Sequence, residues 1–549
     1  MAQTLRYEPA RRAADTLIAS HLIGRIWSRD VSAWDATPGD DVGKAIANRL
    51  GWLDVPSAMQ AELDAVETLA AEVQAEGIDT VYLLGMGGSS LCAEVIRSVY
   101  GVRDGWPQVV VMDTTDEATI HGAATRLEPG RTLFLVASKS GGTIEVASME
   151  KLFWSAMTSA VGAKAGRHFV AITDPGTGLA QLAQQRGYRH TFVNPADIGG
   201  RFSALSLFGL VPAALIGAPV RDMLSGGHDM AEGCRQESHQ NAGLELGAFI
   251  GAAAAAGRDK LTVLLPPSMR TLGLWIEQLV AESTGKHGKG ALPVVDEPLA
   301  GPEQYGGDRC FVTLSTDRDE PDMARVQALE DAGHPVLRLS TRTGALGAEF
   351  FRWEFATAVA GAVLGINPFD EPNVSEAKEK TKAILAKSDV TGGTPVASSG
   401  GVSVFSSRFG GASPAQAVHA ALGSIRDGDY AAFLSYLPPL ADVDATSLDI
   451  RTAIHARTRA ATTFGLGPRY LHSTGQYHKG GPNTIVAFVI TGEDDTATPV
   501  PDAPYTFKQL KRAQAVGDYQ TLEAHDRRTV RIHLDRGVDA AAALRALFS

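Results

Sequence analysis

Four short apolar runs lie between residues 80 and 173: 80–84 (TVYLL), 108–112 (QVVVM), 132–137 (TLFLVA) and 168–173 (HFVAIT). The first reads as a short buried strand and the other three as strands. The stretches between them, 91–100 and 144–161 among them, are long enough for crossover helices. Strands alternating with helices build a parallel sheet, and this pattern confines the chain to an α/β architecture.

The pattern recurs further on. After a helix expected over 201–217, the runs 261–265, 310–314 and 334–339 read as strands, with helices at 272–283, 322–332 and 347–365. A Gly/Ser/Thr-rich stretch at 389–414 reads as a mobile linker. Beyond it 430–437, 484–491 and 530–534 read as strands, with helices near 447–463 and at 506–515. The expected organisation is a helical segment over 1–75, α/β units over 76–230 and 231–388, the linker, and a third unit over 415–549.

Charge and cysteine content exclude several function classes. Among 549 residues, 50 Lys and Arg face 62 Asp and Glu, a net charge of −12, which argues against nucleic acid or an anionic membrane as the main partner. Cys92, Cys234 and Cys310 are odd in number and widely spaced, supporting neither a disulfide framework nor a zinc site. Residues 1–15 contain no apolar run of the secretory type. The stretches 205–220, broken by Pro212 and Pro219, and 355–369 fall short of the roughly 18 apolar residues of a membrane span. A cytoplasmic enzyme is the default expectation.

Two loops carry the first chemical signal. Gly85-Met86-Gly87-Gly88-Ser89-Ser90 joins a strand to a helix, where backbone N–H groups can approach an anion at the positive helix end. The same six residues also fit a dinucleotide loop whose third glycine is replaced by Ser90, with Asp113 as a ribose ligand, or a bare strand–helix turn. Ser138-Lys139-Ser140-Gly141-Gly142-Thr143 ends the third strand and opens the next helix. Its hydroxyls and free amides can ring a single phosphate, although Ser140 alone would be an ordinary helix cap. Gly87, Gly88, Ser89, Ser138, Lys139, Ser140 and Thr143 are the candidate substrate-binding residues of these loops.

GMGGSS followed by SKSGGT resembles the sugar isomerase (SIS) domain. Residues 199–203 (GGRFS), 278–286 (QLVAESTGK) and 367–378 (NPFDEPNVSEAK) resemble signature blocks of the phosphoglucose isomerase family. Over its whole length the chain is similar to the isomerase half of bifunctional transaldolase/phosphoglucose isomerase proteins. A transaldolase barrel would need about 250 further residues, and none is expected here. The resemblance implies tandem SIS domains, flavodoxin-like with three layers, plus an additional C-terminal α/β unit. It implies reversible interconversion of glucose 6-phosphate and fructose 6-phosphate through ring opening and a cis-enediol. It also implies no metal, no organic cofactor and a homodimer.

The family motifs assign roles that spacing alone leaves open. Glu282 matches the base that moves a proton between C1 and C2; by itself it would read as a solvated helix-end carboxylate. Arg201 matches the arginine that stabilises the enediolate. Gln278, one turn before Glu282 on the same face, can orient the substrate or a water. Lys378 matches the lysine near the ring oxygen, and alone would be one charge of the EAKEKTK helix. The ring-opening histidine departs from the family pattern. It is expected between the Glu and Lys motifs, where this chain has Tyr305, while His287 and His334 lack the right surroundings. A matching block, 471–476 (LHSTGQ), stands instead in the third unit. His472 is therefore the expected proton shuttle, swung in within the chain or across a dimer, with His478 and Lys479 as nearby alternatives. The third unit is then expected to be a displaced copy of part of the second. Glu371 stands where relatives usually carry Gln.

Three other functions compete. The enzyme could also accept mannose 6-phosphate; the chain could be a silent sugar-phosphate sensor; or GMGGSS could serve a nucleotide-dependent oxidoreductase. The joint presence of Glu282, Arg201 and Lys378 argues against silence, and the second hydroxyl-rich loop argues against a dinucleotide.

Overall fold

The computed structural model describes residues 5–386 and 392–549. Three sheets run in chain order. The first holds β1 (Thr80–Leu84), β2 (Gln108–Met112), β3 (Thr132–Ala137), β4 (Phe169–Thr173) and β5 (His190–Val193), in the order β2-β1-β3-β4-β5. The second holds β6 (Lys260–Leu264), β7 (Leu292–Val294), β8 (Arg309–Ser315) and β9 (Val336–Ser340), in the order β7-β6-β8-β9. All neighbours in both sheets are parallel. β7 contains Pro293, which has no N–H to donate, and accordingly lies at the sheet edge.

The third sheet repeats the pattern with an addition. β12 (Tyr430–Ser435), β13 (Ala461–Leu466), β14 (Ile485–Gly492) and β15 (Arg528–Leu534) are parallel in the order β13-β12-β14-β15. Counted within each sheet, all three therefore share the strand order 2-1-3-4, the doubly wound arrangement whose crevice opens at the carboxyl ends of strands 1 and 3. In the first sheet those ends lead into GMGGSS and SKSGGT.

The structure corrects three expectations. The stretch read as a linker carries a hairpin, β10 (Ala397–Ser399) and β11 (Val402–Phe405), which joins the third sheet antiparallel to β15. Backbone hydrogen bonding holds it where composition suggested mobility; residues 389–391 of that linker, like residues 387 and 388 before it and 1–4 of the N-terminal segment, lie outside the described residues. The helix expected over 201–217 begins only at Leu207, where the Ser206 hydroxyl accepts from the Phe208 N–H. The helix expected near 447–463 runs Ala441–Thr458 and stops at Arg459, whose φ of 61° is left-handed, so that 461–466 is free to form β13.

Packing makes the third unit part of the same body as the first two. Its inner face, with Tyr430, Tyr436, Tyr470 and Tyr477, shares a core with Ala281, Leu292 and Val294 of the second unit. Val500 and Phe507 pack into the core on one face of the first sheet.

Candidate active site

Arg201 sits in a one-turn helix, Gly200–Phe202, set against the GMGGSS turn. A Cβ at Gly88 would lie 1.9 Å from the Gly200 carbonyl oxygen, so only glycine allows the two turns to touch. The Arg201 guanidinium is buried and fully engaged. Nε donates to Ser283 Oγ at 2.7 Å, and Nη2 donates to the Pro368 and Asp370 carbonyls at 2.9 and 2.8 Å. Nη1 lies 3.2 Å from Glu282 Oε1 and 3.0 Å from Glu371 Oε2.

Glu282 and Gln278 project from the helix Leu272–Thr284, which is apolar and buried over most of its circumference. One helical turn apart, they face the same way, and Gln278 Nε2 donates to Glu282 Oε2 at 3.1 Å. The helix ends at Gly285, where a Cβ would lie 2.4 Å from Tyr477 Cα. This close approach lets the segment around His472 dock. Burial raises the proton affinity of Glu282, Arg201 opposes it and Glu371 adds to it; the result is a carboxyl above its ordinary range.

His472 reaches this site within the chain. Its carbonyl oxygen accepts a 2.8 Å bond from the same Gln278 Nε2. Its imidazole Nε2–H donates to Glu145 Oε1 at 3.0 Å. Gln514 Nε2 also donates to Glu145 Oε1, at 2.7 Å, and Thr115 Oγ1 donates to Gln514 Oε1 at 2.7 Å. This chain of bonds fixes the ring through Nε2. Burial would raise the Glu145 carboxyl, but the His472 and Lys378 charges and the bond from His472 outweigh it and hold the group below its usual range.

A cavity of about 90 Å³ adjoins His472 and Glu145. Ser140, Thr143, Glu145, Lys378, His472 and Gln514 are among the residues that line it. Ser140 and Thr143 thus face the same space as the imidazole and the Lys378 ammonium. Ser138 is buried beneath them, bonded to Thr143 at 3.2 Å. Gly87, Gly88 and Ser89 are buried beside the Arg201 turn and do not line the cavity. Lys139 is likewise not part of it. Its ammonium pairs with Asp174 and donates to the Ala196 carbonyl at 3.1 Å, away from the loop's open side.

The residues 54–307 match the family model of phosphoglucose isomerase. Glucose-6-phosphate isomerases from Carboxydothermus hydrogenoformans and Rubrobacter xylanophilus are 28% and 29% identical to the chain over 400 and 404 residues. Those matches cover 62% and 63% of this chain and 85% and 91% of the relatives. Over these residues the chain is similar to the phosphoglucose isomerases. Among solved structures, a hypothetical protein from Thermus thermophilus aligns with a TM-score of 0.60 at 24% identity, over 70% of this chain and 99% of that one. A glucose-6-phosphate isomerase from Chlamydia trachomatis aligns at 0.55 and 18% identity, over 69% of this chain and 86% of that one; these likenesses are of fold.

The alternatives to His472 are occupied elsewhere. His478 Nδ1 bonds Tyr430 Oη at 2.9 Å, and burial pushes its imidazole down to about 3. Lys479 is buried against Asp518 at 2.6 Å. Tyr305 packs on Phe311, and its hydroxyl accepts from the Ala300 N–H. Asp113, considered above as a ribose ligand, accepts both arms of Arg469 and the Ser90 hydroxyl, so the dinucleotide reading loses its acidic partner. Sequence reasoning missed Glu145, Gln514 and Arg469. Glu145 follows SKSGGT at the second position of its helix and was there to be found; Gln514 carried no local signal.

Proposed function

We infer that this chain is an aldose–ketose isomerase interconverting glucose 6-phosphate and fructose 6-phosphate. One observation carries the reading: Gln278 Nε2 bridges the Glu282 carboxylate and the His472 carbonyl, which links the Glu282 helix to the segment whose His472 lines the hydroxyl-bearing cavity. Ser140 and Thr143 receive the phosphate, with Ser138 beneath them. His472 takes the anomeric proton and returns one to the ring oxygen, which opens the ring near Lys378. Glu282 then removes the C2 proton of the open aldose, the electron pair moves to the carbonyl oxygen, and Arg201 stabilises the resulting enediolate. The O2 hydroxyl passes its proton to O1, and return of the carbon-bound proton from Glu282 to C1 gives the ketose.

The raised proton affinity of Glu282 supports its part, since a stronger base takes a carbon-bound proton more readily. The same reading places the chain in the cytoplasm as a homodimer, which sedimentation at micromolar concentration tests. For the activity, a coupled assay with glucose 6-phosphate and mannose 6-phosphate is run on wild type and Glu282→Gln. Glu282→Gln should lose roughly 10²–10⁴-fold in turnover; a fully active Glu282→Gln would refute the assignment.

A further inference from the structure

Arg201 is the counter-charge of two carboxylates at once. Its Nη1 lies 3.2 Å from Glu282 Oε1 and 3.0 Å from Glu371 Oε2. An arginine facing Glu282 alone would hold that group as the anion and weaken it as a base. Glu371 accepts a hydrogen bond from Nη1 at 3.0 Å, where Glu282 forms an ion pair. Nε and Nη2 donate to Ser283 and to two carbonyls. Beyond that bond, the second carboxylate contributes charge.

We propose that Glu371 is a positioning residue for the proton transfer: by sharing Arg201 with Glu282 it offsets the guanidinium charge at the base and leaves the Glu282 carboxylate able to accept a proton. The inference rests on Glu282 being the base.

The surrounding charges fit this division. Glu282 feels Arg201, Glu371 and His472. Glu371 feels Arg201, Lys286 and Arg49, and although burial opposes it, these cations hold it below its usual range, so it is the anion that neutralises Arg201. Lys286, at the end of the Glu282 helix, pairs with Asp370 at 2.6 Å. On the segment packed against that helix, Lys479 and His478 are turned to Asp518 and Tyr430. Glu371 is thus the acidic group that shares Glu282's arginine, and its side chain is 43% exposed, so replacing it leaves no hole.

The test is the pH dependence of kcat/KM for wild type, Glu371→Gln and Glu371→Ala, with Glu282→Gln as the control. Both Glu371 variants should unfold at the wild-type temperature. Their acid limb should move to lower pH by on the order of one unit, because Glu282 protonates later, and the plateau should fall several-fold. A limb that stays in place in both variants overturns the proposal, and so does a changed KM with an unmoved limb, which would make Glu371 a substrate contact. Activity surviving in Glu282→Gln would instead remove the base assignment itself.

Discussion

Arg469 forks onto Asp113, Nε and Nη2 each bonding one carboxylate oxygen at 2.8 Å. Asp113 follows the end of β2 in the first sheet, and Arg469 stands three residues before His472. The pair therefore ties the histidine loop to the sheet that carries the phosphate loop. Ser90 also donates to Asp113 Oδ2, at 3.2 Å, so the GMGGSS turn shares this anchor.

Asp113→Asn keeps the shape but removes the charge. Breaking a buried pair costs about 3–5 kcal/mol, and the partial exposure of Arg469 brings the expected loss to about 2–3 kcal/mol. Denaturant unfolding measures it. Turnover of the ring sugar should fall more than that of an open-chain substrate; equal losses on both would separate the anchor from the placement of His472.

His472→Ala should spare the carbon chemistry and damage ring opening. We expect glucose 6-phosphate turnover to drop about 10²-fold or more. Exchange of the C1 proton of 5-deoxyfructose 6-phosphate, which cannot close its furanose ring, should continue in deuterium oxide at near the wild-type rate. Normal handling of both substrates would exclude the shuttle role.

Glu145 gives a stability signature with a defined sign. Its folded value lies below the ordinary 4.5, so the carboxylate contributes stability that is complete above that pH and lost as pH falls through the folded value. The stability gap between wild type and Glu145→Gln should shrink as pH falls below about 4.5. Denaturant titrations at pH 7.5 and 3.5 decide it, and a gap that widens in acid would contradict the pairing with His472.

Gly88→Ala would push a methyl group into the Gly200 carbonyl, 1.9 Å away, with backbone on both sides. Overpacking of this kind costs about 1–3 kcal/mol or more, and the displaced turn carries Arg201. Activity should fall with stability. A wild-type melting temperature in Gly88→Ala would show that the two turns do not touch in solution.

The sequence located the first sheet's opening strands because β1, β3 and β4 are apolar on both faces, a property each short run carries by itself. It hid β10 and β11, whose Ala-Ser-Ser and Val-Ser-Val-Phe residues become strands through pairing with β15, and β13, which is half-exposed at its end. Glu282, Arg201, Lys378 and His472 were legible as residue types in motifs. Their roles were not legible from spacing, since an exposed helix-end glutamate and a buried one read alike.

What the sequence determined by itself is local: strand and helix periods, the glycine turns, and the hydroxyl loop at a helix start, each set by neighbours along the chain. What only the tertiary structure decided is the meeting of His472 with Glu145, 327 residues apart, and the exclusion of Lys139 from the cavity. The first depends on how the third unit's aromatic face packs against the Glu282 helix, the second on an ion pair with Asp174 farther along the same unit. Those energies arise between surfaces that the linear order does not place together.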